Sequence, residues 1–219
     1  MSETPVPMLE LTSPIAKELT EYILLQHDIK ASHASLTVWF KRFCGPSDEK
    51  EPDDAVIGAS VFRDSIIMFM GCFDRSAPLF LDEAEVYKTT LGGAEYFQWL
   101  RDMRDAYAAH KFGALRQCAV GVLLDGNGDV LGIGQFSSIY LGPAKEAEGQ
   151  MLQFIAIAGN YVAAKIKELE ARLKQEANDM TREERAKLKT ARLHGVDPAN
   201  VRTSRPAFQR KMRESRTDP

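Results

Sequence analysis

The chain has 219 residues, 44% of them apolar and 27% charged, the balance of a soluble globular protein with room for one good core and an appendage. Its net charge of −3 hides an asymmetry: residues 165–219 carry 15 Lys and Arg against 9 Asp and Glu, whereas residues 1–164 carry 13 against 22. Three widely spaced cysteines (Cys44, Cys72, Cys118) with no CxxC pair argue against a disulfide framework and a zinc site.

All three cysteines sit in apolar stretches, which predicts buried free thiols and a reducing, cytoplasmic setting. The opening MSETPVPMLELTSP has neither the basic nor the apolar region of a signal peptide. The strongest apolar patch, SIIMFMGCF at 65–73, is too short to cross a bilayer, so no membrane role is expected.

Ser13-Pro14 predicts a helix from about 14 to 28, serine capping and proline at the first helical position. A second helix is expected from Ala31, with Leu36, Trp39, Phe40 and Phe43 at helical spacing, ending before Gly45-Pro46. After a polar loop at 45–54, a long helix over 54–74 is apolar around much of its circumference and therefore central. A short helix is expected at Asp82, and Gly92-Gly93 breaks the chain before a helix over 94–111.

The period then changes. Gln117–Leu124 and Val130–Phe136 are strand-like and flank the turn sequence DGNGD, which predicts a hairpin at 117–137 laid against the helices. Beyond Gly142-Pro143 a very long helix carries Met151, Ile155, Ala158, Val162, Ile166, Leu169 and Leu173 at steps of three or four. Thr181 and Glu184 read as a capping box for a basic helix over 181–194, closed by Gly195. From Val196 onward the periodicity is lost, and this stretch is expected to be disordered when alone.

These elements predict a mainly α protein: a helical bundle with an inserted hairpin and a basic extension. The expected divisions are an N-terminal helical pair (1–53), a bundle with the hairpin (54–177) and a tail (178–219). Within the tail, Arg202, Arg205, Arg210, Lys211 and Arg213 are candidates for contacting nucleic-acid phosphates.

The richest chemistry lies in WLRDMRDAYAAHKFG, residues 99–113. Arg104 supplies a positive fork, Asp105 a carboxylate, and His110 a group that titrates near neutral pH. On a regular helix Arg101, Arg104, Asp105 and Lys111 form a charged stripe, while His110 falls in line with Trp99, Met103 and Ala106. Six residues amount to about 240° of rotation and a rise of about 9 Å, so Arg104 and His110 do not converge on one target from one straight helix. A frayed helix end, or a second copy of the chain, must close that gap. The same residues also satisfy a structural reading, in which His110 packs on the apolar face near a favourable helix C-terminus. His27 and His33 flank the expected helix junction and are not assigned a catalytic role.

The string Arg104-Asp105-x4-His110 near the end of a bundle helix resembles the signature of HEPN-domain proteins, and the likeness extends loosely over residues 55–175. The hairpin departs from the minimal family pattern and is similar to an uncharacterised bacterial subgroup. The resemblance implies a four-helix core that dimerises, with the motifs of two copies facing across a cleft. It further implies metal-independent RNA cleavage without a cofactor, in a toxin or phage-defence effector, with an antitoxin or other protein as a further partner. His110 would then be general base or acid, Arg104 would stabilise the phosphorane, Asp105 would orient either of them, and Tyr107, Lys111 and Arg101 would support phosphate contact. The competing reading is a non-catalytic scaffold of the same fold that binds RNA or protein. A third, a small-molecule site beside the hairpin, is neither supported nor excluded.

Overall fold

A computed structural model of the chain describes residues 8–44, 52–108, 116–140 and 142–191. The protein is mainly helical with one small antiparallel hairpin. The first helix, α1 (Pro14–Val38), starts where Ser13 predicts: its hydroxyl accepts from the Ala16 N–H at 3.2 Å and itself donates to Glu176 at 2.9 Å. The break expected near residue 29 does not occur. No glycine or proline interrupts the chain between Pro14 and Gly45, and Tyr22, Leu25, Ile29, Ser32 and Leu36 form one unbroken buried stripe. α1 therefore runs straight into a π-helical turn, Trp39–Phe43, and His27 and His33 sit on the same helix rather than at a junction.

Next come α2 (Pro52–Gly71), the one-turn α3 (Glu83–Val86) capped by the Asp82 carboxylate, and α4 (Gly93–Ala108). The strands β1 (Arg116–Leu124) and β2 (Val130–Ile139) pair around the expected turn, where the Asp125 carboxylate accepts from the backbone N–H groups of Asn127 and Asp129. The long helix α5 (Glu148–Asp179) follows a short 3-10 turn at Lys145–Ala147.

α1 packs on α2 and α5, and α2 packs on α4. Residues on both sides of position 53 thus enter one core, in which Leu36, Phe62, Ile66, Phe69, Ala158 and Val162 are fully buried. Two serines bring α1 and α2 close: Ser32 Oγ donates to the Ser65 carbonyl and Ser65 Oγ to the Ser32 carbonyl, each at 2.9 Å. Both side chains are completely buried, and both hydroxyls are satisfied. At the far end of the hairpin, Gly142 has φ +155°, and a Cβ there would run into the Trp39 indole.

The compact unit spans Thr12–Asp179. A second unit combines the ends of the chain: the backbone at Met8–Glu10 pairs with Lys189–Ala191 through a Leu9–Thr190 bridge. It also contains α6 (Arg182–Ala186), which opens with the full reciprocal capping box between Thr181 and Glu184. α6 is shorter than the expected 181–194 because the chain turns extended to make that bridge. Gly195 and the stretch from Val196 lie outside the described residues.

Two expectations about burial are corrected. The hairpin does not cover its side chains with the helices: Cys118–Leu124 are all exposed, and so are Val130, Leu131, Ile133, Gln135 and Phe136. Of the cysteines only Cys72 is buried, Cys44 being half-buried and Cys118 exposed. Among the described residues no helix is long and apolar enough to cross a membrane.

Burial pushes the Cys72 thiol from an ordinary 9.0 up to about 12, and it raises the Tyr87 and Tyr96 hydroxyls above 10.0. Below about pH 9 both folded and unfolded chains keep these protons, and the contribution to stability is intact. As pH rises from about 9 to about 12 the unfolded chain ionises first, so stability is lost across that window. Thermal melting at stepped alkaline pH is expected to show a falling transition temperature with Cys72 still inert to a thiol reagent while Cys118 labels; a flat profile with rapid Cys72 labelling would contradict this burial.

Candidate functional site

α4 carries the motif because Phe97, Leu100 and Met103 lie buried at steps of three, fixing which side of the helix faces the core. Trp99, expected on that face with His110, is 38% exposed and leans on Tyr96 with ring centroids 5.2 Å apart. The buried stripe is rotated from the expected line, and Arg104 and Asp105 emerge half-buried beside it.

Arg104 folds back on its neighbour. Its Nε and Nη2 donate to the same Asp105 oxygen at 2.8 and 2.6 Å. Adjacent helical residues do not face one another, so only the length of the arginine side chain makes this contact reachable. Arg104 is also felt by Asp74, just past the end of α2. The Asp74 carboxyl is held below the usual carboxylate range first by hydrogen bonds from the Ser76 backbone and side chain, with the Arg104 charge adding a smaller pull. The Asp105 carboxylate is thus the direct partner of this guanidinium at rest.

Arg101 is engaged elsewhere. Its Nη2 lies 3.2 Å from Glu83 Oε1, and its guanidinium carbon is 5.0 Å from the centre of the Phe97 ring. Glu83 also meets Arg75 at 3.7 Å, so it ties α3 to both α4 and the turn after α2. Glu83 is not among the candidate residues named from the sequence, although the acidic first turn of α3 was the available signal. On α2, Arg63 reaches Ser60 at 3.4 Å and Asp64 is exposed.

Tyr107 turns to the core. Its hydroxyl donates to the Tyr140 carbonyl at 3.4 Å, and its ring meets Phe62 edge-on at 5.9 Å. That geometry ties α4 to the end of the hairpin and serves packing directly. His110 and Lys111 lie outside the described residues, as do Arg202, Arg205, Arg210, Lys211 and Arg213. Of the candidate set, the structure brings together Arg104 and Asp105, and it places Arg101 and Tyr107 in separate contacts.

Among the described residues no group of three or more His, Cys, Asp or Glu side chains is placed to hold a metal ion. A cleft of about 260 Å³ lies between the Thr90–Gly93 turn and α5, lined by Tyr96, Gln150, Gln153 and Phe154. The Tyr96 hydroxyl is buried with no hydrogen-bond partner among the described residues. Compared with known proteins, the chain matches no family model, no curated protein and no solved structure.

Proposed function

We propose that this chain is a HEPN-like, metal-independent RNA endonuclease, with Arg104 and His110 as the catalytic pair and Asp105 as the residue that positions Arg104. The observation that carries the reading is the Arg104–Asp105 contact in the last described turn of α4: a partly exposed guanidinium, held by its neighbour's carboxylate, six residues before a histidine. α1, α2, α4 and α5 would supply the bundle that such a site needs.

In the proposed reaction the ribose 2′-OH attacks the adjacent phosphorus and the bond to the 5′ oxygen breaks. His110 takes the 2′ proton or delivers one to the leaving oxygen, work suited to an imidazole that titrates near neutrality. Arg104 exchanges its hold on Asp105 for the phosphorane oxygens, where a planar fork fits. A second copy of the chain supplies the complementary group, because one regular helix does not bring Arg104 and His110 to the same phosphate. The basic stretch from Arg202 to Arg213 holds RNA by counterion release. A cytoplasmic toxin or defence effector kept in check by a protein partner is the setting this chemistry fits.

A second reading, a non-catalytic scaffold of the same fold, is favoured by the pairing of Arg104 with the Asp105 carboxylate. Incubating total RNA with the purified chain in EDTA separates the two. Cleavage by wild type, lost in His110→Ala at an unchanged melting temperature, is the expected result. Absence of cleavage, with a variant that melts several degrees lower, assigns His110 to packing and the protein to the scaffold class.

A further inference from the structure

At the opposite end of α4 from Arg104, the Thr90–Gly93 turn stands off α5 and leaves the cleft of about 260 Å³. The turn depends on Gly92, whose φ of +68° lies in the left-handed region. On the α5 side, Gln150 and Gln153 are three residues apart and share one face of the helix. Both are exposed, and neither side chain enters a hydrogen bond among the described residues. Phe154 and Ile157 add apolar surface. The Tyr96 ring, which also lines the cleft, lies 4.7 Å from the Phe154 ring, and its hydroxyl is buried without a partner. Burial holds that hydroxyl above its ordinary 10.0, so it keeps its proton and remains an unmet donor.

The lining narrows the occupant. None of the described residues around the cleft is charged, so a phosphate, a carboxylate or a cation finds no ion pair there. The volume falls just below the roughly 300–1,000 Å³ of drug-sized sites, enough for one ring system and too small for a peptide. Two free carboxamides beside aromatic rings suit a flat, uncharged ligand with donors and acceptors along its edge, which describes an unpaired nucleobase. The carboxamides also select among bases. Glutamine pairs through two hydrogen bonds with adenine, whereas guanine is read by Arg or Lys and cytosine by Asp or Glu, and the lining holds none of these four.

We propose that this cleft receives an unpaired adenine of an RNA strand, with Gln150 and Gln153 reading the base edge and Tyr96 and Phe154 forming the aromatic wall. This deepens the ribonuclease reading and rests on it for the RNA. Tyr96 precedes Arg104 by eight residues, about 12 Å along α4 and about 80° around it. A stacked strand advances about 3.4 Å per nucleotide, so the adenine lies roughly three or four nucleotides from a phosphate at Arg104. No residue of the motif lines the cleft, and base preference is therefore separable from cleavage.

Short 2′-O-methyl oligomers of adenosine and of uridine test the proposal, since they lack the attacking hydroxyl and stay intact. Tryptophan fluorescence reports binding: of the two tryptophans Trp39 is buried, whereas Trp99 is partly exposed and sits 5.2 Å from Tyr96. The full chain is expected to bind the adenosine oligomer about tenfold or more tightly than the uridine oligomer. Replacing both glutamines (Gln150→Ala with Gln153→Ala) should equalise the two affinities at an unchanged melting temperature, because both side chains are exposed and alanine suits a helix. Asn160→Ala, exposed on α5 outside the cleft, should keep the preference. Equal affinity for the two oligomers, binding of neither, or a preference that survives the double substitution overturns the proposal. Free adenosine that binds as tightly as the oligomer overturns it in favour of a nucleoside site. Total RNA in EDTA separates the two readings: an adenine preference without cleavage defeats the endonuclease and leaves the cleft as assigned, whereas cleavage without the preference does the reverse.

Discussion

Replacing Phe154 with alanine is expected to lower the stability of the Thr12–Asp179 unit by about 3–5 kcal/mol, the largest effect of any single truncation considered. Phe154 is where three elements meet α5. Its ring stacks on Tyr87 with centroids 3.9 Å apart and planes within 10°, and it reaches Tyr96 at 4.7 Å and Phe69 at 6.3 Å. Phe69 and Phe97 then close on Phe73 at 5.3 and 4.7 Å. One truncation therefore opens a cavity that touches α2, the end of α3 and α4 together, and rigid aromatic neighbours collapse into it poorly.

The loss has a second component. Tyr87 Oη donates to the Phe154 carbonyl at 3.2 Å, a bond held by the ring stack above it. Retaining the backbone while removing the stack loosens Tyr87 and weakens that bond. For a unit of this size each kcal/mol moves the transition by about 2–4 °C, so the melting temperature should fall by roughly 10 °C or more. Phe154→Leu, which refills most of the volume, should recover more than half of the loss. If both variants melt within about 1 kcal/mol of wild type, the aromatic cluster is not the centre of the fold.

Element starts were legible because capping chemistry is local: Ser13-Pro14, Asp82 and the Thr181–Glu184 box each occupy a few adjacent residues, and each caps a helix as read. The hairpin was legible for the same reason, its turn being written in Asp125–Asp129. What lay beyond sequence reading depends on partners far along the chain. The burial of Ile29 and Ser32 against other helices keeps α1 whole where a junction was expected. Thr190 turns extended because Leu9 is there to pair with it. The hairpin pattern, a nearly continuous run of apolar residues and glycine on each side of the turn, is equally that of a covered sheet and of an uncovered one, and only the exposed side chains distinguish them. At the site, the Arg104–Asp105 adjacency was readable, but neither the curl of the arginine onto one oxygen nor the turn of Tyr107 toward Tyr140 has a signature in spacing.

Arg104→Lys is expected to cost the proposed cleavage reaction about 10²–10³-fold in kcat, the scale seen when one donor to a developing oxyanion is removed. Lysine keeps the charge but not the fork, and the two nitrogens now on Asp105, at 2.8 and 2.6 Å, are the pair that would grip two phosphorane oxygens. Asp105→Asn should do less, because it keeps the shape of the contact while removing the charge that holds Arg104 in place. The side chains of Arg104 and Asp105 are 34% and 51% exposed, and an ion pair so open to water contributes only about 0–1 kcal/mol to folding. Neither variant should therefore shift the melting temperature measurably, so that a loss of rate reads out the chemistry and not the fold. The order of effects carries the argument: a larger loss in Asp105→Asn than in Arg104→Lys would make the carboxylate the working group, and equal, unimpaired rates in both would remove the pair from the reaction.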